Sequence, residues 1–286
     1  MEELKMVTEE IRTDDGALLR KQEEIREDSS ESRPFSPAES FEQQEISKLK
    51  TSAEIFGVTE KELENEFLDY KIDKLLKQID YFVDLPVTDL ALKEKIMSSK
   101  RIGFGSVTVL PDRILTAKQF MGESKTELNT ILSYPFGSDL EKVKIYSFKR
   151  CMKLPIKSIS LPICPLMLNY NNSKRTLSLV KKLKKLSKGK SFKVIADLNA
   201  FGQAGLVTLV KLLNEAKVDR ISVKVAEGSV SQLKTLLTMT KGKITVDAIG
   251  EISLKLGASM LNLGVKRLSA SNAEELAEEL VEKLKA

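Results

Sequence analysis

From residue 78 onward the chain alternates between two kinds of segment, and this alternation limits the fold more than any other feature. Short apolar, β-branched runs occur at Ile79–Leu85, Gly103–Leu110, Asn129–Tyr134, Ser158–Ile163, Phe192–Ala196, Arg220–Val225, Ile244–Ala248 and Met260–Gly264. Amphipathic stretches lie between them, at 88–99, 112–121, 139–153, 173–187, 203–216, 229–239 and 251–256, with a last one at 272–285. That last stretch carries Ala273, Leu276, Ala277, Leu280, Val281 and Leu284 at helical spacing. Runs such as Ile221-Ser222-Val223-Lys224-Val225 are nearly continuous in apolar character, as parallel strands covered by helices on their outer face must be. Eight strand–helix units in this length fit a compact (β/α)8 barrel. A doubly wound sheet is the competing arrangement, but no GxGxxG follows the first strand.

The part before residue 78 has a different character. Residues 1–70 hold 9 Lys+Arg against 20 Asp+Glu, a net of −11, whereas residues 71–286 hold 37 against 21, a net of +16. Glu23 to Arg33 is almost wholly charged or Ser, with too little apolar surface to offset the entropy of ordering. The expected organisation is an acidic, disordered tail at 1–35, a helical extension at 36–77 and a TIM barrel at 78–286. Ser36-Pro37-Ala38-Glu39 and Thr59-Glu60-Lys61-Glu62 have helix-start spacings, which predict helices at about 38–55 and 59–77. The acidic start predicts no signal peptide, and the sequence holds no run of 18 apolar residues that would predict a membrane span. Two cysteines, Cys151 and Cys164, make no disulfide framework and no metal spacing. A cytoplasmic protein without metal or cofactor is expected.

The chain contains no histidine. This excludes Ser-His-Asp triads, Cys-His dyads and histidine-ligated zinc, so any catalysis must rely on Lys, Asp/Glu, Tyr, Ser, Cys or a borrowed cofactor.

Several segments, in order, resemble deoxyribose-phosphate aldolase and its class I, Schiff-base relatives over about 78–270. Ile79-Asp80-Tyr81-Phe82-Val83-Asp84-Leu85-Pro86 followed by Thr88 is similar to that family's opening strand, IDHTLLKP. Gly105-Ser106-Val107-Thr108-Val109-Leu110-Pro111 resembles its second strand. Thr130-Ile131-Leu132-Ser133-Tyr134-Pro135-Phe136-Gly137, with Lys144 beyond it, resembles VIGFPLG and the lysine of the next helix. Lys193-Val194-Ile195-Ala196-Asp197 resembles KVIIE. The resemblance implies a lysine nucleophile on the sixth strand, a second lysine on the seventh and an Asp on the fourth. Placed without gaps, these fall on Ser222, Val246 and Ser160. A class I aldolase needs a neutral amine to attack a carbonyl and a carboxylate to move protons; Ser cannot form an iminium.

Two functions therefore stand against each other. One is a pseudoenzyme barrel that binds a partner or a phosphorylated metabolite. The other is a divergent aldehyde-lyase acting on a small sugar phosphate through Lys224. Lys224 lies two residues past Ser222, so it shares the inward face, with Asp80 or Asp84 as a helper. Asp80 could equally pair with a barrel lysine. Lys193 is expected to form an ion pair with Asp197. Gly250, Gly264 and Lys266 are the expected phosphate site, on the reading that Gly250 and Gly264 end the seventh and eighth strands. The lysines of 173–190 read as the solvated back of a helix rather than a nucleic-acid surface, because no aromatics interleave with them. The acidic extension could dock on the basic barrel in cis or on a neighbouring chain, and a homo-oligomer is open. A mouth plugged by bulky side chains would favour the binding protein; an open one with Lys224 beside a carboxylate would favour the lyase.

Overall fold

A computed structural model describes residues 7–12, 18–23, 60–168 and 172–285. Strands β1 (Val7–Arg12) and β2 (Leu18–Glu23) pair antiparallel, Val7 opposite Glu23. They fall in a stretch where the charge density predicts no element, although Asp15-Gly16 between them is a turn-favouring pair. The helix expected at 38–55 lies outside the described residues. Helix α1 (Glu60–Leu76) covers the second expected helix.

The rest is a closed barrel of eight parallel strands. In chain order the elements are β3 (Ile79–Phe82), α2 (Asp89–Ile102), β4 (Ser106–Val109), α3 (Ile114–Met121), β5 (Glu127–Ile131), α4 (Glu141–Cys151) and β6 (Ser158–Pro162). They continue with α5 (Ser173–Leu186), β7 (Ser191–Asp197), α6 (Gln203–Glu215), β8 (Arg220–Lys224), α7 (Val230–Thr240) and β9 (Thr245–Gly250). The chain closes with α8 (Leu254–Asn262), β10 (Leu268–Ala270) and α9 (Ala273–Lys285). Pairing runs from β3 through β9 in sequence, and β10 joins β9 to β3: Leu268 is level with both Ala248 and Ile79.

Local chemistry fixes the corners. Thr88 caps α2 by accepting from the Ala91 amide at 3.2 Å, and Gly103 ends that helix at φ +96°. Gly105, entering β4, lies so close to α1 that a Cβ there would sit 2.1 Å from the Lys77 carbonyl oxygen, a contact only glycine avoids. Alternate strand residues such as Val107, Val109, Ile159, Leu161, Val194, Ile221, Val223, Val246 and Ala248 point outward. They join Leu92, Ile96, Phe148, Leu183, Leu209 and Leu276 from the helices in one core. Helix α5 buries Thr176, Leu179, Val180 and Leu183, and its lysines lie on the opposite side: Lys184 pairs with Asp219 at 2.8 Å and Lys181 with Glu215 at 3.9 Å. Cys151 is buried in the core.

The eighth strand is not where the sequence predicts it. Met260 to Asn262 close helix α8, which Ser253 caps and which buries Leu256, Gly257 and Met260. The strand itself is only Leu268–Ala270, too short for its apolar character to be read. Among the described residues no helix is long and apolar enough to cross a membrane.

Candidate functional site

The barrel interior is built in layers, each from alternate strands, as closed eight-stranded barrels require. Asp80, Asn129, Lys193 and Asp247 come from β3, β5, β7 and β9, and all four are nearly inaccessible. Two residues further along the same strands lie Phe82, Ile131, Ile195 and Ile249, which pack together into a separate apolar cluster. Side chains at i and i+2 share a face of a strand, so this cluster is stacked directly toward the C-terminal mouth. Thr108, Ser160, Ser222 and Ser269, from the intervening strands, fill the level between.

The polar layer is fully engaged. Asp80 accepts hydrogen bonds from the hydroxyls of Ser106 and Thr108 (2.7 Å for Thr108) and from the Asn129 amide at 3.4 Å. Ser158 donates to the Asn129 oxygen at 2.7 Å. Asp247, with no exposed surface, accepts from Lys193 Nζ at 3.1 Å and from Arg220 Nε and Nη2 at 2.8 and 3.0 Å. Burial holds the Lys193 ammonium below the ordinary lysine range, with Asp247 pulling it partly back. For Arg220, burial also favours the neutral form, but its bonds to Asp247 outweigh that and raise its pKa. At the N-terminal end Arg267 closes the floor, donating to Ser106 Oγ and Glu127 Oε2, each at 3.1 Å.

Over this layer sits the apolar one. Phe82 is 1% and Ile131 1% exposed, Ile195 5% and Ile249 7%. Tyr134 stands edge-on to Phe82 at 5.3 Å between centroids, and Leu110 packs alongside. Burial, then the charges of Asp84 and Asp197, push the Tyr134 hydroxyl above the ordinary phenol range. Lys224 lies beyond this roof, exposed, level with Asp197 on β7.

No protein-family profile matches the chain. It is similar to a curated deoxyribose-phosphate aldolase of Dictyoglomus turgidum, 22% identical over 205 residues, covering 70% of this chain and 94% of the relative. Among solved structures, it superposes on an aldolase designated QR15 with a TM-score of 0.67 at 19% identity, over 73% of this chain and 96% of that one. A tetrameric deoxyribose phosphate aldolase from Aeropyrum pernix gives 0.61 at 18% identity, over 75% and 92%. The chain therefore resembles deoxyribose-phosphate aldolases in sequence and shares their fold. It has the same closed TIM barrel at low sequence identity.

Several expected site residues of that family change place in the structure. Ser222 and Ser160 do point inward, in the level beneath the roof. Val246 does not: it packs outward among the helices. The inward residue of β9 that is level with Ser222 is Asp247, so the second-lysine position of the resemblance shifts by one. Asp80 stays in the interior, but it is held by hydroxyls and an amide, and the roof separates it from Lys224. Lys193 pairs with Asp247 rather than with Asp197, whose carboxylate accepts from the Asn199 amide at 3.0 Å. Gly250 ends β9 at the mouth, at φ +133°, and its carbonyl accepts from the Ser271 amide at 3.0 Å. Gly264 and Lys266 precede β10 instead of following it, and the Lys266 amide bonds to the Val246 carbonyl at 2.9 Å. They lie toward the N-terminal end of the barrel and cannot share a site with Gly250. At the mouth, the residues after β10 are Ser271 and Asn272; Asn272 ties to both backbone groups of Ile252 at 3.0 Å.

Sequence reasoning missed Asp247 and Arg220. The detectable signal was a single carboxylate inside Ile244-Thr245-Val246-Asp247-Ala248-Ile249, since a charge in a buried run demands a partner. Among the described residues no group of three potential ligands is placed to hold a metal ion.

Proposed function

We propose that this barrel has lost Schiff-base aldolase chemistry and acts as a pseudoenzyme that binds a phosphorylated metabolite or a protein partner. The supporting observation is the pairing of Ser222 with Asp247 beneath the apolar roof. Where a nucleophilic amine would have to meet a carbonyl, the side chain is a hydroxyl. The amine inside the polar layer, Lys193, is bound to a carboxylate. Phe82, Ile131, Ile195 and Ile249 occupy the path by which a sugar phosphate would reach either one. The tetrameric relative supports a homo-oligomer, which light scattering on the full chain would test.

A second reading rests on Lys224. It is exposed at the mouth and level with the Asp197 carboxylate, so a lyase using those two groups above the roof is the alternative. Cleavage of deoxyribose 5-phosphate, followed through the aldehyde released, separates the two. The pseudoenzyme reading expects no turnover above a Lys224→Ala control. Turnover abolished by that substitution establishes the lyase.

A further inference from the structure

The described residues contain a cavity of about 300 Å³ on the C-terminal side of the barrel, between the start of α4 and the start of α5. Asp139, Glu141, Lys144, Asn172 and Arg175 supply its polar lining, and Leu140, Leu166, Met167 and Leu179 its apolar walls. Three of the four charged side chains are already engaged. Asp139 accepts from Ser133 Oγ at 2.8 Å, and Glu141 accepts from Arg175 Nε at 2.9 Å. Lys144 is the exception. It is 5% exposed and, among the described residues, has neither a hydrogen bond nor an ion pair. Its Nζ is not sealed off from solvent, so it opens onto the cavity with no acceptor of its own among the described residues.

The helix end beside it lacks a negative group. The positive end of a helix favours acidic side chains in its first turn. The first turn of α5 has none and instead carries Lys174 and Arg175. The side chain of Asn172, at the N-cap position, does not cap the helix; its Nδ2 donates to the Leu166 carbonyl at 3.2 Å. Two independent features, a lysine without a hydrogen-bonded partner among the described residues and a helix N-terminus that Asn172 does not cap, therefore border one small cavity. Both want an oxyanion.

We infer that this cavity is a binding site for a small oxyanion, the phosphate or carboxylate group of a metabolite, with Lys144 as its principal counter-charge. The site lies outside the barrel interior and does not depend on whether chemistry survives there. Burial holds the Lys144 pKa below the ordinary lysine range; Asp139, Cys164 and Glu141 pull it back, and Arg175 adds to the drop. An anion arriving against Lys144 favours its charged form.

Calorimetric titration of the full chain with inorganic phosphate and, separately, with acetate tests this. Saturable binding to one site with Kd near about 1 mM, weakened at least about tenfold in Lys144→Met through loss of a charged hydrogen bond, is the expected result. Preference for phosphate points to phosphate esters, and preference for acetate to carboxylates. A second measurement needs no variant: trinitrobenzenesulfonate labelling mapped by peptide mass spectrometry should show Lys144 protected by the bound anion and surface lysines unprotected. No saturable binding of either probe, affinity unchanged in Lys144→Met, or Lys144 labelling indifferent to the anion would each overturn the assignment.

Discussion

Replacing Asp247 with alanine removes the residue on which the barrel's interior charges converge. Asp247 takes three hydrogen bonds from two cations and has no exposed surface. Its partners differ in their escape routes. The Arg220 side chain is 26% exposed and can turn toward water, whereas that of Lys193, at 5%, cannot. Taking one partner from a buried ion pair costs about 3–5 kcal/mol. Because Arg220 rehydrates and Lys193 can give up its proton, the lower end applies, about 3 kcal/mol. At roughly 2–4 °C per kcal/mol for a domain of this size, Tm falls by about 6–12 °C. The pH dependence carries a sign. The folded-state pKa of Lys193 is already depressed, so between it and the unfolded value the unfolded chain binds more protons and stability rises with pH. Losing Asp247 depresses that pKa further. The gap between wild type and variant therefore narrows as pH rises toward the ordinary lysine range. Urea unfolding followed by circular dichroism at pH 7 and pH 9.5 measures both quantities. A loss under about 0.5 kcal/mol, the scatter of neutral surface changes, or a gap that does not move with pH, would refute the reasoning. A Lys193→Met, Asp247→Leu double variant should recover at least half of the loss, since apolar groups can replace a buried pair at little cost.

Two further outcomes follow from the packing. Phe82→Ala removes the largest side chain of the roof and should cost about 3–5 kcal/mol in urea unfolding; it should also speed hydrogen exchange at the amides of β3 and its neighbour β4. Lys144→Met removes a buried ammonium and should stabilise the chain by about 1 kcal/mol at pH 7. That gain should shrink as pH rises, because the depressed folded pKa of Lys144 makes wild-type stability climb with pH across the same window; thermal melts across pH 6.5–9.5 record it.

The sequence shows the alternation of strands and helices, and seven of the eight barrel strands fall where β-branched runs place them. The exception has a physical cause. β10 has three residues and one of them, Ser269, is polar, while the amphipathic Leu254–Asn262 next to it offers a stronger apolar signal. That error then displaced the expected phosphate site, because Gly264 and Lys266 took the wrong side of the strand. Strand parity correctly turned Ser222, Ser160 and Asp80 inward. It could not say how far around the barrel a partner lies, so Lys193 was matched to Asp197 on its own strand rather than to Asp247 two strands away. The roof is likewise a property of four strands at once: Phe82, Ile131, Ile195 and Ile249 are ordinary apolar residues until closure brings them together. Lys144 was visible only as part of a resemblance, since its isolation depends on what the Asp139, Glu141 and Arg175 side chains bind instead.

The central claim is that neither Lys193 in the barrel interior nor Lys224 at its mouth serves as a Schiff-base nucleophile. Incubation of the full chain with acetaldehyde and borohydride, followed by intact mass and peptide mapping, tests it directly. The account expects Lys193 and Lys224 to carry no adduct above that on solvent-exposed lysines such as Lys181. A stoichiometric adduct on Lys193 or Lys224 would contradict it.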